Sequence, residues 1–202
     1  MKALYVTDRA AVGDERFFEV LDALAGSSVA VELRERGTED GELLRLAIAV
    51  RQRLGHGVPL SVNRRLDVAL AAGADGVHLP ADGFPLERVR ASVPRGFRIG
   101  VSTHSTSEAA AAIEAGADVV VIGPIFDTPS KRAYGPPLGL EALRGLPSLE
   151  SHGSDVLAIG GVAEGNLDAL APYRDRISGV AAIRLFQEAE SPQAAADRLA
   201  SR

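Results

Sequence analysis

The sequence predicts an α/β protein of one domain, residues 1–202, folded as a (β/α)8 TIM barrel. Three observations predict it. Eight short apolar runs recur along the chain, a stretch of helical spacing follows each, and 202 residues is the lower end of the size that eight βα units need. Alternation of this kind yields parallel strands joined by right-handed crossovers. A doubly wound open sheet is the competing architecture.

The strand candidates are Ala3–Val6, Val29–Leu33, Leu60–Val62, Gly76–Leu79, Phe97–Val101, Val119–Ile122, Val156–Ile159 and Val180–Ile183. Between them, Phe17, Val20, Leu21 and Leu24 fall at i, i+3, i+4 and i+7, and Leu43, Leu46, Ala47 and Val50 repeat the spacing. Thr38, Asp40 and either Ser105 or Thr106 are candidate helix caps. An internal echo supports repeated units: AGADGVHL (72–79) resembles AGADVVVI (115–122). In each, a helix is expected to end at glycine, which supplies a left-handed cap, and a strand to start after the Asp. Shared turn chemistry and common ancestry both account for the echo.

Composition removes several functional classes. The chain is 46% hydrophobic, too apolar for disorder, and it lacks cysteine, so no disulfide framework and no Cys-based metal or redox site exists. No run reaches the roughly 18 apolar residues of a membrane span. The N-terminal stretch turns polar too soon for a signal peptide, which gives a cytoplasmic location as the expectation. A net charge of -5 without a Lys/Arg block argues against nucleic acid. Only Lys2 and Lys131 are lysines in a chain that otherwise uses Arg, so Lys131 reads as a chemical choice.

Barrel strands should be apolar on both faces. Several break that rule at period two near their C-terminal ends, where barrels build sites. Glu32, Arg34 and Arg36 share a face, as do Ser61 and Asn63; His78 stands between Val77 and Leu79; Gly100, Ser102 and His104 share another face. A buried ion pair sealing the interior would explain Glu32 or Arg34 alone, but not four successive strands. DTPSKRAYGPPL (127–138) is the most irregular segment, and it reads as a lid or binding loop carrying Thr128 and Lys131. Gly160-Gly161 after strand seven, with Ala182 and Ile183 at the end of strand eight, lie where barrels often bind phosphate through backbone N–H groups.

Taken in order, LYVTDR (4–9), ELRERG (32–37), VNRRLDVAL (62–70), GADGVHLP (73–80), IGVSTHS (99–105), GADVVVIGPIFDTPSK (116–131) and AIGGV (158–162) resemble one family over nearly the whole chain. It is that of thiamine phosphate synthase and its relative the thiazole tautomerase (TenI). The resemblance implies a barrel, a small-molecule thiazole phosphate as partner, and barrels that often pair as homodimers. The synthase branch joins hydroxymethylpyrimidine diphosphate to thiazole phosphate with magnesium and releases diphosphate. Its strand-two Gln and Lys are here Glu32 and Arg36, and the magnesium-holding Asp after Asn63 is Arg64. Its second metal Asp falls one position early, as Asp82 in Pro80-Ala81-Asp82-Gly83.

These departures are similar to the tautomerase branch, which moves a proton and needs no metal or cofactor. That branch's histidine after strand six is Pro124 here, while GPIFDTPSK remains synthase-like. The expectation is therefore a tautomerase-type isomerase with no cofactor and no metal ligands. Thiamine phosphate synthase, with magnesium, is the alternative, and a non-catalytic phosphate-binding or regulatory barrel is a third reading. The catalytic candidates are His104, His78 and Glu32. Arg34, Arg36, Asn63, Ser102, Thr128, Lys131, Gly160, Gly161, Ala182 and Ile183 are the binding candidates.

Overall fold

The computed structural model describes residues 1–201, the side chains of Ser130, Ala133 and Tyr134 excepted. Eight parallel strands pair in chain order and close into a barrel, as the alternating pattern predicts. They are β1 (Ala3–Val6), β2 (Ala30–Leu33), β3 (Leu60–Asn63), β4 (Gly76–Leu79), β5 (Arg98–Thr103), β6 (Val119–Ile122), β7 (Asp155–Ala158) and β8 (Gly179–Ala182). The helices are α1 (Arg9–Leu24), α2 (Asp40–Leu54), α3 (Leu66–Ala71), α4 (Leu86–Arg90), α5 (Thr106–Glu114), α6 (Glu141–Arg144), α7 (Arg184–Gln187) and α8 (Pro192–Ala200). The connection between β7 and β8 is a 3-10 helix, Glu164–Tyr173, where the alternating pattern predicts an α-helix.

Several strand ends differ from the apolar runs by one or two residues. Ladder pairing, not hydrophobicity, ends a strand. β5 runs on through Ser102 and Thr103 because they pair with Val121 and Ile122, and β8 starts at Gly179, which pairs with Leu157. Among the caps, Ser105 accepts the Glu108 N–H, while α2 is preceded by Glu39 with no side-chain cap.

The chain divides into two compact units, Met1–His78 with the chain from Ile183 onward, and Leu79–Ala182. In the first, Phe17, Val20, Leu21 and Leu24 of α1 are completely buried, so the helical spacing marks a core face. Each such side chain contributes about 1.5–3 kcal/mol on leaving water. Leu43, Leu46, Ala47 and Val50 do the same for α2. Tyr5 of β1 is fully buried against the Phe186 ring, with centroids 5.5 Å apart, and its hydroxyl accepts from Gln187 Nε2 at 3.0 Å. Gln187 also donates to the Asp8 carbonyl, and Arg16 Nε bonds the Gln187 carbonyl, which ties α7 to the start of α1.

The internal echo has a physical content. Gly73 and Gly116 both sit at positive φ, 65° and 84°, as the cap expectation requires. The Asp that follows then reaches the start of the preceding strand. Asp75 Oδ2 accepts the Leu60 N–H at 2.8 Å and Arg51 at 2.6 Å. In the second unit, Asp118 Oδ2 accepts the Ile99 N–H at 2.7 Å and Arg90 at 2.5 Å. The same device, one carboxylate shared by a strand N–H and a guanidinium, locks two βα turns.

Candidate active site

In the first unit, the period-two face of β2 to β4 is a connected polar cluster. The register sets Glu32 opposite Ser61 and Asn63 opposite His78. Glu32 and His78 are each 3% exposed. One Glu32 oxygen accepts from Asn63 Nδ2 at 2.8 Å, and the other lies 3.4 Å from His78 Nδ1. Both carboxylate oxygens thus face polar groups of the chain itself, which is how a buried acid is tolerated.

Above that cluster, at the strand ends, stand Arg34, half-buried, and Arg36 and Arg64, exposed. Burial pushes the Arg34 guanidinium below its ordinary range, and the like charge of Arg36 adds to that, against the pull of Glu32. Thr7 and Glu35 complete this end. Thr7 Oγ1 donates to Glu35 and accepts the Arg34 N–H at 2.9 Å, and the second Glu35 oxygen accepts the Arg9 N–H at 2.9 Å. Burial raises the Glu35 carboxyl above its usual range, outweighing those two hydrogen bonds. Sequence reading missed Thr7 and Glu35. Their signal was a polar residue just past a four-residue strand and a second acid in ELRERG, both of which look like ordinary loop residues.

In the second unit, Ser102 lies on β5, half-buried, and His104 follows the strand, exposed. His104 Nδ1 is 2.9 Å from the Gly123 carbonyl. A carbonyl only accepts, so the proton sits on Nδ1 and the neutral ring keeps its lone pair on Nε2. The His104 N–H donates to Glu108, which fixes the residue at the head of α5. Gly160 and Gly161 stand at positive φ, 91° and 67°, packed on the segment after β6. A Cβ on Gly160 would meet Pro124 at 2.5 Å, and one on Gly161 the Asp127 carbonyl at 2.5 Å. Close backbone approach therefore demands both glycines. Ile125 and Phe126 donate to the Ile159 and Gly160 carbonyls, and Asn166 Nδ2 bonds the Gly161 carbonyl, so the two loops are knit together.

Thr128, buried, precedes the 3-10 turn Pro129–Tyr134 that carries Lys131, half-exposed. The Lys131 N–H bonds the Thr128 carbonyl, and Arg132 is tied to Asp127. Within the irregular segment, Pro129–Tyr134 form this 3-10 turn. Ala182 ends β8, buried, and Ile183 stands at the head of α7 in the first unit.

The family model described as thiamine monophosphate synthase matches residues 3–186. The chain belongs to this family. It is 39% identical over 184 residues to the thiamine-phosphate synthase of Methanoculleus marisnigri, covering 89% of this chain and 86% of that one. It is 38% identical over 192 residues to the thiamine-phosphate synthase of Roseiflexus sp. (strain RS-1), with 94% and 80% covered. Among solved structures, the thiamine phosphate pyrophosphorylase of Pyrococcus furiosus superposes with a TM-score of 0.81 at 31% identity, over 99% of this chain and 94% of that one.

These relatives carry the synthase name, so they favour the synthase alternative over the tautomerase expectation. Magnesium, which the synthase resemblance implies, takes oxygen ligands in near-octahedral order. Among the described residues no group of three or more His, Asp or Glu is placed to hold a metal ion. Arg64 stands at the end of β3, and Asp82 lies exposed in the turn after β4. Of the two metal carboxylates that the resemblance implies, one is therefore replaced by an arginine. No helix among the described residues is long and apolar enough to cross a membrane.

Proposed function

We propose that this chain is a thiamine-phosphate synthase, a transferase that joins hydroxymethylpyrimidine diphosphate to a thiazole phosphate and releases diphosphate. One observation carries the reading: relatives of that name match about nine-tenths of the chain at nearly 40% identity. In such a reaction the carbon–oxygen bond to diphosphate breaks, its electron pair leaves with the diphosphate, and the thiazole nitrogen supplies the pair for the new carbon–nitrogen bond.

Each end of the reaction then has a candidate set of residues. Arg34 and Arg36 meet the negative charge that grows on the leaving diphosphate, where fixed positive groups are worth most. Asn63, held by Glu32, is the candidate for orienting the pyrimidine. Lys131, Thr128 and the N–H groups of Gly160 and Gly161, with Ala182 at the end of β8, are the candidates for the thiazole phosphate. Ser102 is a candidate contact on β5.

A tautomerase reading stays as the second. It is favoured by the Nε2 lone pair that the Gly123 carbonyl leaves on His104, a proton acceptor in the neutral ring, and by the buried Glu32 and His78. One experiment separates them. Purified protein is mixed with pyrimidine diphosphate and thiazole phosphate, with magnesium and separately with a chelator, and thiamine phosphate is measured. Turnover supports the synthase. No thiamine phosphate, with proton exchange in the thiazole carboxylate phosphate, replaces it with the tautomerase.

A further inference from the structure

We propose that Thr7 and Glu35 are positioning residues for Arg34: the Thr7 hydroxyl, oriented by the Glu35 carboxylate, fixes the backbone from which the Arg34 side chain acts in the reaction. Arg34's part in the reaction rests on the synthase reading; its attachment to Thr7 and Glu35 does not.

The attachment begins where the sheet ends. The β1–β2 ladder closes on the pair Val6↔Glu32, and the Thr7 N–H bonds the Glu32 carbonyl at 3.0 Å. A parallel ladder continued by one step would give the Arg34 N–H the Thr7 carbonyl. The Thr7 hydroxyl takes that place and accepts the Arg34 N–H at 2.9 Å. Arg34 therefore leaves β2 on a side-chain tether, and replacing one side chain can release it.

The tether has a fixed sense. A hydroxyl has one proton to give, and a carboxylate only accepts. The Thr7 proton thus goes to Glu35 Oε1, at 2.5 Å, which turns the hydroxyl lone pairs to the Arg34 N–H. Glu35 Oε2 accepts the Arg9 N–H at 2.9 Å, and the Arg9 side chain is tied to Glu42 of α2 and Asp14 of α1. Thr7 is completely buried and Glu35 half-buried. Burial raises the Glu35 carboxyl above its usual range, so an acid is kept where its charge is disfavoured. An apolar side chain would avoid that cost, but it could not hold the Thr7 proton and the Arg9 N–H together. The charges of Glu32, Asp8 and Glu35 also favour the Arg34 cation, against burial and Arg36. Glu35 therefore acts on Arg34 both through the backbone and through its charge.

The test is steady-state kinetics of the full chain, condensing pyrimidine diphosphate with thiazole phosphate in the presence of magnesium, beside amide exchange read by NMR. Thr7→Val keeps the shape and removes the hydroxyl. It is expected to lower kcat about tenfold or more, with KM for the pyrimidine diphosphate within about threefold of the wild type, because a displaced charge is felt in the transition state. Thr7→Ser, which keeps the hydroxyl, should restore kcat. Once Arg34→Ala is in place, Thr7→Val should cost less than about twofold more, since the tether then holds nothing that reacts. The Arg34 amide should exchange about tenfold faster in Thr7→Val, having lost its acceptor. Glu35→Gln has one acceptor oxygen in place of two and should lower kcat in the same way; it decides the matter if Thr7→Val does not fold. Wild-type kcat in either variant, no rescue by serine, losses that multiply with Arg34→Ala, or unchanged Arg34 exchange each overturns the positioning role, and wild-type condensation then leaves the synthase reading standing. No condensation by the wild type removes the synthase reading and, with it, Arg34's part in the reaction.

Discussion

Glu32 lies 3.4 Å from His78 with both side chains buried, and Asn63 holds the carboxylate's other oxygen at 2.8 Å. Three strands supply one residue each, so the cluster ties β2, β3 and β4 from the side the strands share. Removing the acid leaves Asn63 without that acceptor and His78 without its neighbour. Glu32→Ala is expected to lose about 3 kcal/mol in urea unfolding, the cost of breaking a buried polar pair. A loss below about 0.5 kcal/mol, the size of an ordinary surface change, would mean that the three residues are not energetically coupled.

The repeated Asp device is testable by comparing its two copies. Asp75 serves Arg51, whose side chain is 7% exposed, whereas Asp118 serves Arg90, 36% exposed. Asp75→Ala should therefore cost more than Asp118→Ala, about 3 against about 1–2 kcal/mol. Equal losses would indicate that the strand N–H bond, common to both, carries the whole effect.

Glu35 gives a pH signature. Its carboxyl is raised by burial, so the folded chain binds its proton more readily than the unfolded chain does. Stability from this group is fully present below the ordinary carboxylate range and declines as pH rises through the raised folded value. Thermal melts of the wild type and Glu35→Gln between about pH 4 and 7 should show the wild type losing ground to the variant as pH rises. A level difference, or one that grows with pH in the wild type's favour, contradicts a raised carboxyl.

Lys131 is the test of the proposed thiazole-phosphate contacts. Lys131→Ala is expected to weaken thiazole phosphate binding about tenfold, the loss of one charge-assisted contact, without a change in melting temperature. Titration calorimetry reads the affinity directly. Unchanged affinity would move the phosphate grip to the glycine loop.

His104 distinguishes the two functional readings. If its Nε2 shuttles a proton, His104→Ala should slow tautomerisation by about a hundredfold, the usual weight of a general base, and remove the corresponding limb of the pH–rate profile. A rate and profile equal to the wild type's would place the proton transfer elsewhere.

The sequence carried the architecture unaided. Strand and helix periodicities are local, and burial enforces them: Phe17, Val20, Leu21 and Leu24 announce a core face by spacing alone, and the Gly-Ala-Asp echo announces two like turns by chemistry alone. The polar breaks at Glu32, Asn63 and His78 were legible for the same reason, since an apolar strand makes a misplaced polar group conspicuous. What no spacing reveals is pairing across strands. Only the tertiary structure decided that Glu32 meets Asn63 and His78, that Glu35 caps α1 with Thr7, and that Gly160 and Gly161 are required by the backbone packed on them. Those partners lie tens of residues apart, so register and strand twist choose them, and neither is encoded in any one segment.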